Sequence, residues 1–74
     1  MKEDKSYPQD LLTARELEIL DLIANEYSNV EIRKKLNIST GTVESHRKNM
    51  FYKVGVKNMA GLIHKSYQLG ILKI

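Results

Sequence analysis

A chain of 74 residues makes one domain and buries only about 60% of the surface its unfolded form would expose, so its core must be modest. Apolar residues at 42% and charged residues at 28% fit a folded globular domain and not a disordered chain. No cysteine is present and the two histidines are isolated, which excludes disulfides and argues against zinc or any other metal, leaving helix packing and a partner subunit as sources of stability.

Residues 1–10, with Pro8 and charges of both signs, read as a frayed arm ahead of a domain at 11–74. The first helix is expected at 14–25. Thr13 can cap it by accepting the backbone N–H of Glu16, whose carboxylate reaches back, while Leu12 packs on Leu17. The same design recurs at Tyr27, Ser28, Glu31 and Ile32, which opens a second helix at 29–36. Asn37-Ile38-Ser39 then separates it from a third helix at 40–54, in which Ile38, Ser39 and Val43 repeat the staple and cap with Thr42 in place of the glutamate. In the next turn, Val54-Gly55-Val56-Lys57, Gly55 supplies a left-handed stop, and Asn58 caps a fourth helix at 59–69. Apolar spacing is helical throughout and no stretch alternates long enough for a strand. The fold class is all-α, four helices with no sheet and no wing.

The short link at 37–39 forces a sharp corner, and Asn37 is one of the few residues other than glycine that tolerates a left-handed stop. Two short helices joined this way form a helix-turn-helix, whose second helix reads DNA; an ordinary corner in another bundle is the alternative. Advancing about 100° per residue puts Val43, Met50 and Val54 on one stripe of the third helix, with Phe51 on its flank. Gly41, Ser45, Lys48 and Tyr52 gather opposite, with Glu44 and Asn49 at the edges. Small, hydroxyl-bearing and basic side chains suit a face that meets bases and phosphates. Gly41 lets a phosphate approach the amides of the first turn, or is tolerated at a helix start, and Thr40 and Thr42 add hydroxyls. Glu44 is discordant: it either accepts from a cytosine amino group or points to solvent. Arg47 is expected to extend toward the DNA backbone or pair with Glu44, and His46 flanks the face.

Charge supports a polyanion on this side. Residues 1–27 carry three basic and seven acidic side chains, or −4, and residues 28–74 carry nine basic and two acidic, or +7. On the fourth helix Leu62, Ile63 and Ser66 form the core face, while Tyr67, Leu69, Ile71 and Leu72 leave surplus apolar surface. That surplus fits a two-fold dimer setting two reading helices about 34 Å apart, with a tail folded over its own core as the alternative. No apolar stretch approaches the roughly 18 residues of a membrane span and the start MKEDKSY is polar, so the expected location is cytoplasmic.

The segments LTARELEILDLIA, SNVEIRKKLNIS, GTVESHRKNMFYKVGVKN and LGIL together resemble the LuxR-type helix-turn-helix domain, also called the FixJ or GerE type, across residues 11–72. The resemblance rests on Leu12-Thr13 with Arg15-Glu16, Glu31-Ile32, Ile38-Ser39, Thr42-Val43, His46 and Val54-Gly55-Val56. It implies the effector end of a bacterial response or quorum-sensing regulator, working at the nucleoid: a four-helix domain that binds double-stranded DNA as a homodimer through its last helix, without a cofactor. The base-reading positions fall on Glu44, Ser45 and Lys48, and the phosphate-contacting positions on Thr40, Thr42, His46, Asn49 and Lys53. The motif itself spans Asn29 to Lys48. With the face read from geometry, the candidate DNA-binding set is Asn29, Thr40, Gly41, Thr42, Glu44, Ser45, His46, Arg47, Lys48, Asn49, Tyr52 and Lys53. The candidate dimer interface is Met59, Ile63, Tyr67, Leu69 and Ile71. Arg33, Gly41 and Tyr52 depart from the family's usual residues, and with fewer cations on the duplex side the affinity is expected to be modest and dimer-dependent.

Two other readings compete. One is the promoter-reading region of a sigma factor, which would act only with RNA polymerase and is disfavoured by the Val54-Gly55-Val56 turn and the fourth helix. The other is a protein-interaction module on a degenerate helix-turn-helix, suggested by Gly41, Glu44 and Tyr52. RNA polymerase remains an expected partner of a regulator; an enzyme is not expected, because no nucleophile, base and orienting group fall together.

Overall fold

A computed structural model describes residues 11–73 of the chain. The expected arm at 1–10 lies outside them. Among the described residues there are four helices and no strand: α1 (Ala14–Ala24), α2 (Asn29–Leu36), α3 (Thr40–Val54) and α4 (Met59–Gln68). The first and last end one residue earlier than expected, within the usual spread of helix boundaries.

Each helix begins where a side chain satisfies the backbone amides that have no partner in the first turn. Thr13 Oγ accepts from the Glu16 amide at 3.1 Å while the Glu16 carboxylate accepts from the Thr13 amide at 2.9 Å. Ser28 and Glu31 repeat the reciprocal pair at 3.1 and 2.7 Å. The backbone and hydroxyl bonds from Ser28 hold the Glu31 carboxyl below its ordinary pKa. Ser39 caps α3 by accepting from the Thr42 amide at 3.0 Å, and Asn58 caps α4 through the Gly61 amide at 2.8 Å.

The stops are equally local. Asn37 takes the left-handed conformation at φ 56° and ψ 50°, and the Ile38 amide returns to the Arg33 carbonyl at 3.0 Å. Gly55 does the same for α3 at φ 79°, with the Val56 amide on the Phe51 carbonyl at 3.0 Å. α1 ends without a glycine: Glu26 adopts φ 68°, and the Tyr27 amide closes on Leu22 at 3.0 Å.

Nine apolar residues form the core: Leu12, Ile19, Leu20, Ile32, Val43, Met50, Val54, Leu62 and Leu72. α3 packs against all three other helices, so its position is fixed from several sides. The tail corrects one expectation. Leu72 was assigned to surplus apolar surface, but its amide and that of Ile71 bond to the Ser66 carbonyl at 3.1 and 2.8 Å, and Leu72 folds back into the core. Tyr27, expected to staple onto Ile32, is 38% exposed, while Ile32 itself is fully buried.

Candidate nucleic-acid interface

The side of α3 that the core leaves free is the one residue periodicity selects. Val43, Met50 and Val54 are buried and Phe51 is half-buried. Gly41, Ser45, Lys48, Asn49 and Tyr52 are exposed, Tyr52 at 89%. Thr40 is exposed and Thr42 half-buried, its hydroxyl 2.9 Å from that of Ser39. A Cβ added to Gly41 would meet nothing closer than Ser39 Oγ at 3.8 Å, so this glycine is not imposed by packing. Its absent side chain leaves open the approach to the first-turn amides.

Three charged side chains of α3 are already engaged by the fold, which sequence reasoning foresaw in part. Arg47 Nη1 donates to Asn29 Oδ1 at 2.7 Å, and Asn29 Nδ2 donates to Glu44 Oε2. Arg47 Nε lies 3.9 Å from Glu44 Oε1. Pairing of Arg47 with Glu44 was one of two expectations; the amide of Asn29 between them was not foreseen. The signal that could have found it is chemical: the amide at the start of α2 can accept from a guanidinium through its oxygen and donate to a carboxylate through its nitrogen at once.

Lys53 reaches inward, placing Nζ 2.8 Å from Oε1 of Glu16, which is 2% exposed. Burial pushes the Glu16 carboxyl upward, but the Lys53 hydrogen bond, the Thr13 amide and the positive charges of Lys53 and His46 outweigh it and hold the pKa below 4.5. His46 is half-buried, and its Nδ1 is enclosed with no hydrogen-bond partner among the described residues. Of these two residues, which the resemblance places on phosphates, Lys53 is paired to α1 and His46 is close enough to bear on the charge of Glu16. Of the three long cations of α3, Arg47, Lys48 and Lys53, Lys48 alone has neither an ion pair nor a side-chain hydrogen bond among the described residues.

The assigned dimer residues lie along α4 and the tail. Met59, Ile63, Leu69 and Ile71 are half-buried against the core, and Tyr67 is 40% exposed. The side chains still offer a partly open apolar strip, narrower than expected because Leu72 is consumed by the core. Between α1 and α2, with no residue from α3, an open pocket of about 180 Å³ is lined by Glu18, Asp21, Leu22, Lys35 and Leu36. That volume is below the few hundred Å³ usual for small-molecule sites. No helix among the described residues is long and apolar enough to cross a membrane.

A helix held across its neighbour by a three-residue corner, with one face buried and the other open, defines a helix-turn-helix DNA-binding domain. The sequence profile described as "Bacterial regulatory proteins, luxR family" matches residues 10–66, and the chain belongs to that family. It is 46% identical over 63 residues to the transcriptional regulatory protein MctR of Rhizobium johnstonii, covering 85% of this chain and 29% of MctR. It is 41% identical over 68 residues to the oxygen regulatory protein NreC of Staphylococcus aureus, covering 92% of this chain and 31% of NreC. Among solved structures it superposes on the transcription factor GerE with a TM-score of 0.81 at 40% identity, covering 85% of this chain and 94% of GerE. It also superposes on the response regulator ChrA of a heme-sensing two-component system with a TM-score of 0.79 at 32% identity, covering 96% of this chain and 33% of ChrA. The chain thus spans about a third of the length of the curated relatives it matches. Its class is that of DNA-binding transcription regulators, not of enzymes.

Proposed function

We propose that this chain binds double-stranded DNA sequence-specifically to regulate bacterial transcription, as a homodimer on a promoter element with two half-sites. The observation that carries the reading is the open face of α3: Gly41, Ser45, Lys48 and Tyr52 are all exposed opposite the buried stripe of Val43, Met50 and Val54. In this reading Ser45 and Lys48 meet base edges together with Glu44. Thr40, Thr42 and Asn49 approach the phosphates, with Gly41 opening the way to the helix amides and Tyr52 lying along the backbone. Lys53 contributes a positive charge near the groove, shared with Glu16, and His46 flanks the same side. The apolar strip of Met59, Ile63, Tyr67, Leu69 and Ile71 joins two copies so that two α3 helices face successive turns of the groove. The site of action is the cytoplasm, at the nucleoid, with RNA polymerase as the further partner.

With Arg47 and Lys53 engaged internally, few cations remain for phosphates, and affinity draws heavily on the second copy. The test is titration with duplexes selected from a random pool, at several salt concentrations. The logarithm of affinity is expected to fall linearly with the logarithm of salt, by about 0.9 for each phosphate neutralised, and a selected duplex should outcompete random DNA. A flat response to salt with no preference among duplexes would overturn the proposal.

A further inference from the structure

We propose that Asn29 and Arg47 position Glu44 to accept a hydrogen bond from the exocyclic amino group of a cytosine in the major groove. The inference rests on the DNA-binding reading above and assigns a base class and two positioning residues within it.

The three side chains form a chain whose direction has one solution. A guanidinium only donates and a carboxylate only accepts, so the amide between them must turn its oxygen to Arg47 and its nitrogen to Glu44. Arg47 Nη1 to Asn29 Oδ1 is 2.7 Å, and Asn29 Nδ2 donates to Glu44 Oε2. Asn29 is the first residue of α2, whose capping box fixes its backbone, so the reading residue on α3 is held by a fixed point on the other helix of the motif. The Glu44 side chain is nevertheless 46% exposed. Oε1 receives no hydrogen bond among the described residues, and its nearest cation, Arg47 Nε, stands at 3.9 Å, beyond bonding distance.

One oxygen is therefore anchored and the other left as an acceptor in the second turn of α3, at the edge of the open face. The ion pair bears on the difficulty of placing a carboxylate near DNA. Arg47 supplies a compensating positive charge beside Glu44, so the pair approaches the phosphates with no net charge. The remaining acceptor selects among bases by what lies next to the donor. Cytosine presents its N4 amino group beside a C–H, whereas adenine presents N6 beside the N7 acceptor, which would repel a carboxylate; guanine and thymine present acceptors there.

The experiment selects duplexes from a random pool with the unaltered chain, then measures binding with each position of the selected half-site replaced by the other three bases. One position should prefer cytosine about tenfold. Glu44→Gln, equal in size, should move that preference from cytosine to adenine, since a carboxamide can both donate to N7 and accept from N6. Asn29→Asp keeps the size and suits the start of α2, yet cannot donate to Glu44. It should lower the cytosine preference severalfold while the ratios at other positions stay unchanged, whatever its added charge does to overall affinity. Melting curves check that both variants fold. If the chain selects a site but Glu44→Gln alters no base ratio, or Asn29→Asp leaves the cytosine ratio whole, the inference is overturned and DNA binding stands. If no duplex is selected, the DNA-binding reading fails and the inference with it.

Discussion

Glu16 is 2% exposed and carries two roles on one carboxylate oxygen: it completes the Thr13 capping box on α1 and receives Lys53 from α3. A buried carboxylate that loses its cation keeps the burial penalty and loses the compensation. Lys53→Ala is expected to lower stability by roughly 1–2 kcal/mol, since Lys53 is partly exposed and screened, and to lower the melting temperature by about 5–15 °C. The pH dependence has a definite sign. Because the folded-state pKa of Glu16 is depressed, its contribution is present above the usual carboxylate value of 4.5 and is lost as pH falls through the lower folded value. In Lys53→Ala the folded-state pKa is less depressed, so that acid loss should be smaller and complete at higher pH, measurable by thermal denaturation from neutral pH down to about pH 3. A variant as stable as its parent, with an unchanged acid limb, would show that the 2.8 Å pair does not act in solution. Lys53→Ala thus tests the scaffold beneath the reading face, and a weaker affinity for every sequence would accompany the lost stability.

At the scale of the helices, the parts legible in the sequence were those encoded within four residues of one another. The reciprocal pairs Thr13–Glu16 and Ser28–Glu31, the caps Ser39 and Asn58, and the left-handed Asn37 and Gly55 all act through their own backbone, and the structure has each of them. Periodicity then sufficed to separate the buried from the open side of α3. The contacts that escaped notice cross between helices: Glu16 to Lys53 is 37 residues apart, and Asn29 to Glu44 and Arg47 is 15 and 18. These depend on how helices lie against one another, which spacing along one chain does not encode. The stop at Glu26 escaped for another reason, since glutamate has no intrinsic preference for positive φ and only the surrounding fold imposes it. Gly55 gives the clean test of a local stop. A Cβ there would meet nothing within 4 Å, so Gly55→Ala bears only the conformational cost of φ 79°, about 1–2 kcal/mol by denaturant titration. An alanine variant of equal stability would mean that α3 can end in another way.

For the whole molecule, the fold commits most of its resources to holding α3. All three other helices pack on it, the tail closes the core through Leu72, and two of its three long cations are turned to internal partners. What remains outward is a narrow face with small and hydroxyl-bearing residues and one lysine, Lys48, unengaged among the described residues. Such a face gains more from shape and hydrogen bonding than from bulk charge, and this is why a second copy matters to the proposed mode of binding. The most direct measurement is the map of backbone amide shifts as a selected duplex is titrated into the chain. The largest changes are expected at Thr40, Gly41, Ser45, Lys48 and Tyr52, with Glu18, Asp21 and Lys35 on the far side unmoved. Changes confined to the α1–α2 side, with α3 silent, would contradict the account.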